Sequence, residues 1–541
     1  MKVFDKVPVK IPAKNVFDLS HTVKSTYNFD KLYPFLVQPV YPGDTWNVRT
    51  EVFMRAMPLF APLMHDVDMR LYYFFVPNRL IWDENRKADW KTFITGGEDG
   101  TAAPVFPYWT YSGVFNAEPS YLANGSLVDH MGFPTIQYDN ETRLRNGNTP
   151  ISQLPFRAYS LIWNEYFRNQ NVQNEIEFPR GTGNVPDQDY NTLFEFRKKC
   201  WEKDYFTSCL PWAQRGQAMT LPITSGTTPV NIPVNITDAQ LNNASLSFGL
   251  KADDGGYISS DAHGSISGSP VTLKGSATGN VTFTGVQIGT INDFRYCLRL
   301  QQWMENNARC GSRYIEQLFA HFGVKSSDAR LQRPELLGGG KVPIIFTDVE
   351  QTSYGQGETD NVLGDLGGKG TLYGHTQGFV KYFEEHGILM GILCIIPRTS
   401  YSQGIPRWTT AMDKTDFYFP EFAHLGEQAV LNKEIYYDPI NVPVLGKGPD
   451  DPFGYQGRFT ELRYIPGSYH GDMRGFLDYW HLGRRFSSLP ALNSDFVTAD
   501  TQCDAFAMKD VAEGNIDPFV CQLQLSVKAV RPLPKYAVPT L

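Results

Sequence analysis

The sequence predicts one large, mainly β domain with long irregular insertions and a few helices. Two observations predict it. Apolar and polar residues alternate with a two-residue period in well-separated stretches. The segments between them are rich in Gly and Pro, with no tether, charge block or solenoid repeat. Strands near the start that can pair with one at the far end suit a Greek-key barrel.

In chain order, residues 1–15 carry Lys2, Lys6, Lys10 and Lys14 against Asp5, and Pro8 and Pro12 prevent a helix, so an extended basic N-terminal arm is expected. Sequence-independent contact with DNA phosphates suits such an arm; a solvated end or an arm laid on a neighbouring subunit suits it as well. Trp46, Val48, Thr50, Val52 and Met54 alternate with Asn47, Arg49, Glu51, Phe53 and Arg55 as one half-buried strand. Val67, Met69, Leu71, Tyr73 and Phe75 make a second, which Pro77-Asn78 ends. Residues 95–210 turn loop-rich around one helix, with Pro155 at N1 and Ala158, Leu161, Ile162, Tyr166 and Phe167 on one face. Irregular stretches this long usually have a role, and contacts between subunits are the economical one.

Residues 216–290 contain no Arg, Glu, Cys or Trp and are rich in Gly, Ser, Thr, Asn and Val. A small β module, too thin in apolar residues to be very stable alone, is expected there. Val342–Phe346 reads as a strand. Gly378–Glu384 and Ile388–Pro397 read as a hairpin turning at Glu385-His386-Gly387, its second arm apolar enough for the barrel core. Residues 400–515 form another irregular region. Phe519, Cys521, Leu523, Leu525, Val527 and Ala529 alternate with Gln522, Gln524, Ser526 and Lys528 as the cleanest strand.

Ten Trp, 28 Tyr and 36 Phe exceed what a surface-exposed monomer needs, and aromatics concentrate at protein interfaces, which favours an assembly subunit; a large β core accounts for part of them. With 49 basic and 57 acidic residues the net charge is −8, so the chain as a whole does not announce a nucleic-acid partner. Seven cysteines, widely spread and without Cys-x-x-Cys spacing, read as reduced thiols of an intracellularly made protein. The start, Met-Lys-Val-Phe-Asp-Lys, has no apolar core of a signal peptide, and no run approaches a membrane span, so no membrane insertion is expected.

Catalytic and metal chemistry finds little support. Gly364-Asp-Leu-Gly-Gly-Lys-Gly-Thr371 and Gly338-Gly-Gly-Lys341 lack the spacing of a phosphate-binding loop. His375 and His386 beside Glu384 and Glu385 lack ligand spacing, and Asp253-Asp254 and Asp450-Asp451 read as solvated turn residues. No enzyme, cofactor or metal is expected.

One stretch carries more specific information. Asp293–Arg309 has Phe294, Leu298, Leu300, Trp303, Met304 and Ala308 at helical spacing, and Ser312 to Phe322 predicts a second helix. Pro334 and Gly338-Gly339-Gly340 argue against helix and central strand alike in the segment that follows. Arg313-Tyr314, His321-Phe-Gly-Val324, Asp328-Ala-Arg-Leu-Gln-Arg-Pro-Glu335 and the glycine triplet resemble the signature of Microviridae major capsid proteins, closest to the gokushovirus type. Phe74-Phe-Val-Pro-Asn-Arg-Leu-Ile-Trp-Asp83 is similar to the same pattern. The sequence departs at Ser327, where the pattern has proline, and at Thr540, where it has glycine.

The resemblance implies a viral eight-stranded antiparallel jelly-roll barrel with long loop insertions. It implies about sixty copies in a T=1 icosahedral shell around circular single-stranded DNA, assembled in the bacterial cytoplasm. Partners would be the chain itself, the genome, a small basic packaging protein, a minor pilot-type virion protein and a host receptor. Lys2, Lys6, Lys10 and Lys14 are the DNA-facing candidates. Leu246, Phe248, Tyr257, Ile258 and His263 mark the 216–290 insertion as the threefold protrusion and host-attachment candidate. Phe322, Arg330, Arg333 and Pro334 are the inter-subunit packing candidates. The alternative is a secreted carbohydrate-binding or glycan-cleaving β-sandwich, against which the unpaired cysteines and missing signal peptide weigh.

Overall fold

The computed structural model describes residues 13–84, 88–96, 101–136, 145–214, 223–225, 286–288, 291–309, 332–350, 352, 366–438, 448–508 and 516–536. Nine strands build the barrel: β1 (Asn15–Asp18), β2 (His21–Tyr27), β3 (Tyr33–Val40), β4 (Thr45–Ala56), β5 (Val67–Pro77), β6 (Glu335–Glu350), β7 (Leu366–Tyr382), β8 (Gly387–Pro397) and β9 (Phe519–Arg531). Every neighbouring pair is antiparallel. In the first sheet β9 lies on β4, β4 on β7, and β7 on the second half of β6, while β2 and then β1 hold the other edge of β9. In the second sheet the first half of β6 lies on β5, β5 on β8, and β8 on β3. Strand β6 thus belongs to both sheets, crossing at Ile344–Ile345, and the path curls into a jelly-roll barrel.

Alternation is the cause of this closure. Trp46, Val48, Val52 and Met54 face inward from the first sheet with Leu523, Leu525 and Val527, and Val67, Met69, Leu71 and Tyr73 meet them from the second. A one-residue slip in any of these strands would turn its apolar set outward, so burial fixes register.

Strand β8 is buried at all eleven positions because it is covered twice. Leu389, Leu393 and Ile395 enter the barrel core, whereas Ile388, Met390, Ile392, Cys394 and Ile396 face a second core built by residues 74–201. There the helix α1 (Leu154–Ile162) lays Phe156 and Tyr159 on the sheet, and Phe156 meets Phe194 at 4.5 Å between ring centroids. The expectation that loops 95–210 would bury their aromatics on other subunits is corrected here: Trp109, Phe156, Tyr159, Tyr190 and Phe194 are covered by their own chain.

Two further expectations are corrected. Gly338-Gly339-Gly340 lies within the central strand β6, paired with Tyr73, Tyr72 and Leu71 beyond a bulge at Leu336. Glycine is required because a Cβ on Gly339 would sit 2.4 Å from the Leu71 carbonyl oxygen. Strands β7 and β8 do not pair as a hairpin; each finds its partners in a different sheet, and the short connection at 383–386 crosses between them. The expected strand pairing between the early chain and its far end is present, with β4 and β9 matched from Thr45↔Val530 to Ala56↔Phe519.

The chain divides into two compact units, Gln217–Trp303 and the remainder. In the smaller, Ile223–Ser225 pairs with Val286–Ile288, so the two ends of the 226–285 segment are drawn together. That segment itself, and with it most of the expected 216–290 module, lies outside the described residues. The helix α2 (Ile291–Arg309) forms where the periodicity places one, but Leu298 and Trp303, read as its buried face, stay largely exposed.

Candidate interaction surfaces

A third cluster, from Tyr205 to Cys209 with Tyr401, Val430, Ile435, Phe453, Phe496 and Val497, anchors the long irregular region to the barrel. Its polar pin is the buried Asp204. One carboxylate oxygen accepts the Phe206 and Thr207 amides at 2.8 and 2.7 Å; the other accepts the Thr399 and Tyr401 hydroxyls at 2.6 and 2.7 Å. A neighbouring knot joins Arg407 Nη1 to Glu434 Oε1 at 2.9 Å, with Tyr205 donating to Glu434 Oε2 at 2.7 Å. Burial raises the Glu434 carboxyl above its ordinary range.

From this anchor an arm emerges with a different character. No residue from Ser402 to Leu425 is buried. Yet the arm is ordered by its own bonds: short 3₁₀ turns at Arg407–Thr410, Lys414–Asp416 and Pro420–His424 follow one another. Asp416 accepts the Asp413 and Met412 amides, which hold its carboxyl below the usual range. Arg407 donates to the Ala429 carbonyl at 2.6 Å, and Arg458 donates to that of Thr415. Trp408 is 74% and Met412 86% exposed, and Phe417, Tyr418, Phe419 and Leu425 are each more than half exposed. A further stretch exposes Ile465 and Phe476. Monomers seldom leave such apolar surface open; patches of this kind mark contact with a partner.

The other candidates fall as follows. Lys14 donates to the Gly43 carbonyl at 3.1 Å and lies 5.0 Å over the Tyr382 ring; Lys2, Lys6 and Lys10 lie outside the described residues, as do Leu246, Phe248, Tyr257, Ile258, His263, Phe322 and Arg330. Arg333 stacks 5.3 Å over Tyr166, in the π-helical turn Trp163–Phe167 that follows α1, and the Tyr166 hydroxyl donates to the Pro334 carbonyl at 2.6 Å, so these two packing candidates meet a residue of their own chain. His375 is exposed on β7, and His386 packs its ring against Trp90 and Tyr41. Asp450 pairs with Lys433 at 2.7 Å, and Asp451 accepts the Gly448 amide. The described cysteines are unpaired; burial pushes Cys394 and Cys521 up to about 12.

A cleft of about 810 Å³ holds His65, Glu202, Arg398, Tyr464 and His481. Both imidazoles are committed to main chain, His65 to the Arg398 carbonyl at 2.7 Å and His481 to the Met473 carbonyl at 2.8 Å and the Gly483 amide. Among the described residues no three His, Cys, Asp or Glu side chains converge as metal ligands, and no helix is long and apolar enough to cross a membrane.

Barrel, covered second sheet and ordered but exposed arm together describe a jelly-roll protein with apolar surface open to a partner. A family model described as capsid protein (F protein) matches residues 6–541. The chain is 33% identical to capsid protein VP1 of Chlamydia phage 1, over 99% of this chain and 97% of that one, and 33% identical to capsid protein VP1 of Bdellovibrio phage phiMH2K with the same coverage. To capsid protein VP1 of Spiroplasma virus 4 it is 28% identical over 97% of this chain and 94% of the other. The chain belongs to the capsid F-protein family of Microviridae phages. It is a structural, self-assembling protein of the virion.

Proposed function

We propose that this chain is the major capsid protein of a small phage. About sixty copies close into a T=1 icosahedral shell around a circular single-stranded DNA genome. Assembly takes place in the bacterial cytoplasm, the chain carries no enzymatic activity, and the 216–290 insertion forms the threefold protrusion that meets the host. A small basic packaging protein and a minor pilot-type protein share the shell; the former supplies charge that a chain of net −8 lacks.

The arm at 402–425 is the observation that carries this reading. It is shaped by its own hydrogen bonds before any partner arrives, so little ordering entropy opposes docking. Its exposed Trp, Met, Phe and Tyr residues are of the kinds that dominate interface cores. A neighbouring copy in the shell covers it. Substituting Trp408→Asp together with Phe419→Asp tests this. Neither side chain belongs to a core, so the subunit is expected to fold with an unchanged circular dichroism spectrum yet to sediment as free subunits. Particles at wild-type yield in electron micrographs would overturn the role given to the arm.

A further inference from the structure

The barrel has two outer sheet faces, and they differ. The second sheet is covered by the 74–201 layer. Among the described residues, the outer face of the first sheet is exposed along β2, β9, β4 and β7. Register fixes what it presents. Tyr373 lies directly opposite Phe53, Phe53 opposite Gln522, and Gln522 opposite Lys24, so two rings, an amide and an ammonium form one row about 14 Å long. Neighbouring rows add Arg55, beside Val520 and Thr371, and Arg49, beside Ser526. Lys369 lies on the same face of β7, opposite Thr347 of β6.

Charge on this face runs against that of the chain. Lys24, Arg49, Arg55 and Lys369 are exposed and pair with no carboxylate among the described residues; Glu51 is the acid set among them, and Lys528 lies beside Asp18. Aromatic surface is interleaved with these cations. Tyr373 is 79% and Phe53 43% exposed, and the Arg55 guanidinium lies 5.3 Å over the Phe53 ring. Lys14 over Tyr382 continues the pattern at the far end of the same sheet, where Tyr382, Thr45, Val530 and Val16 form a row.

Unpaired like charges on a flat surface call for a polyanion, and open rings among them call for flat, unpaired partners to stack on. A duplex hides its base faces, whereas a single strand offers phosphates and bases together. We propose that this sheet face binds single-stranded nucleic acid, with bases stacked on Phe53 and Tyr373 and phosphates held by Lys24, Arg49, Arg55 and Lys369. The inference rests on the capsid reading only for which strand is enclosed.

Full-length unassembled protein titrated with a fluorescent oligothymidine of about 30 nucleotides tests it, across a series of salt concentrations. The variant Lys24→Gln/Arg55→Gln/Lys369→Gln is expected to bind at least tenfold more weakly at 0.1 M salt and to lose about two units of salt slope, at roughly 0.7 per phosphate contact. The variant Phe53→Ala/Tyr373→Ala is expected to lose at least tenfold in affinity with its salt slope unchanged. Lys203→Gln, an exposed lysine away from this sheet, should bind as wild type. All substituted side chains lie outside the cores, and matching melting curves verify folding. Wild-type binding by both multiple variants overturns the proposal, as does an equal loss on Lys203→Gln. So does a ring variant that binds oligothymidine normally but no longer assembles, since the face would then be a protein contact. Particle yield is measured in parallel: a wild-type chain that binds the oligonucleotide through these residues but forms no shells would sink the assembly reading and leave this one standing.

Discussion

Asp30 is buried beneath the connection to β3, adopts a left-handed φ of 66°, and accepts both the Thr501 amide and its hydroxyl. Burial outweighs those bonds and moves its carboxyl from 3.8 up to about 6. Between those values the folded chain holds a proton that the unfolded chain has released, so stability falls as pH rises through the window. Asn tolerates the same backbone conformation without the charge. Asp30→Asn is therefore expected to remove the decline between pH 4 and 6 and to gain on the order of 2 kcal/mol at pH 7, read from urea unfolding at stepped pH. A wild-type slope retained in the variant would assign the decline elsewhere. Asp204 acts as a structural pin, its two oxygens accepting five hydrogen bonds from donors in two segments, Phe206-Thr207 and Thr399–Tyr401. Asp204→Ala orphans them and is expected to cost about 3 kcal/mol, with the 400–500 region opening first to proteolysis.

At the scale of elements, close approach explains what composition hides. A Cβ at Gly378 would lie 1.7 Å from the Val48 carbonyl oxygen, within the bulge where β7 bends across β4, while one at Gly475 meets nothing within 4 Å. Gly378→Ala and Gly339→Val should each lower the melting temperature by about 10 °C or more, and Gly475→Ala should leave it unchanged. Equal melting of all three would refute the steric account. The same contacts explain which strands the sequence discloses. β4 and β9 each bury a single face, so two-residue alternation spells them out; β5 is buried on both faces, with Val67, Met69, Leu71, Tyr73 and Phe75 in the barrel and Phe74 and Val76 in the second core. β6 hides behind its glycines, whose reason is a neighbour that no local pattern encodes. β7 and β8 flank a good turn, and only the completed sheets reveal that they diverge. The interaction surfaces were less legible still: Trp109 and Trp408 are alike as letters, yet one is fully buried and the other open.

In the larger unit the described residues bury three hydrophobic clusters, two of them on the faces of one curled sheet path, while the arm at 402–425 and the outer face of the first sheet are exposed. The aromatic richness seen in the sequence therefore splits between own-chain cores and uncovered surface, and composition alone could not divide it. One feature of the layout has a temporal meaning. β9 is flanked on one edge by β4 and on the other by β1 and β2, so the first sheet is closed by the barrel strand that the ribosome makes after all the rest. Until it emerges, β4 and β2 keep open hydrogen-bonding edges, so this sheet is completed only by joining segments about 470 residues apart, a contact order that makes its closure a late step of folding.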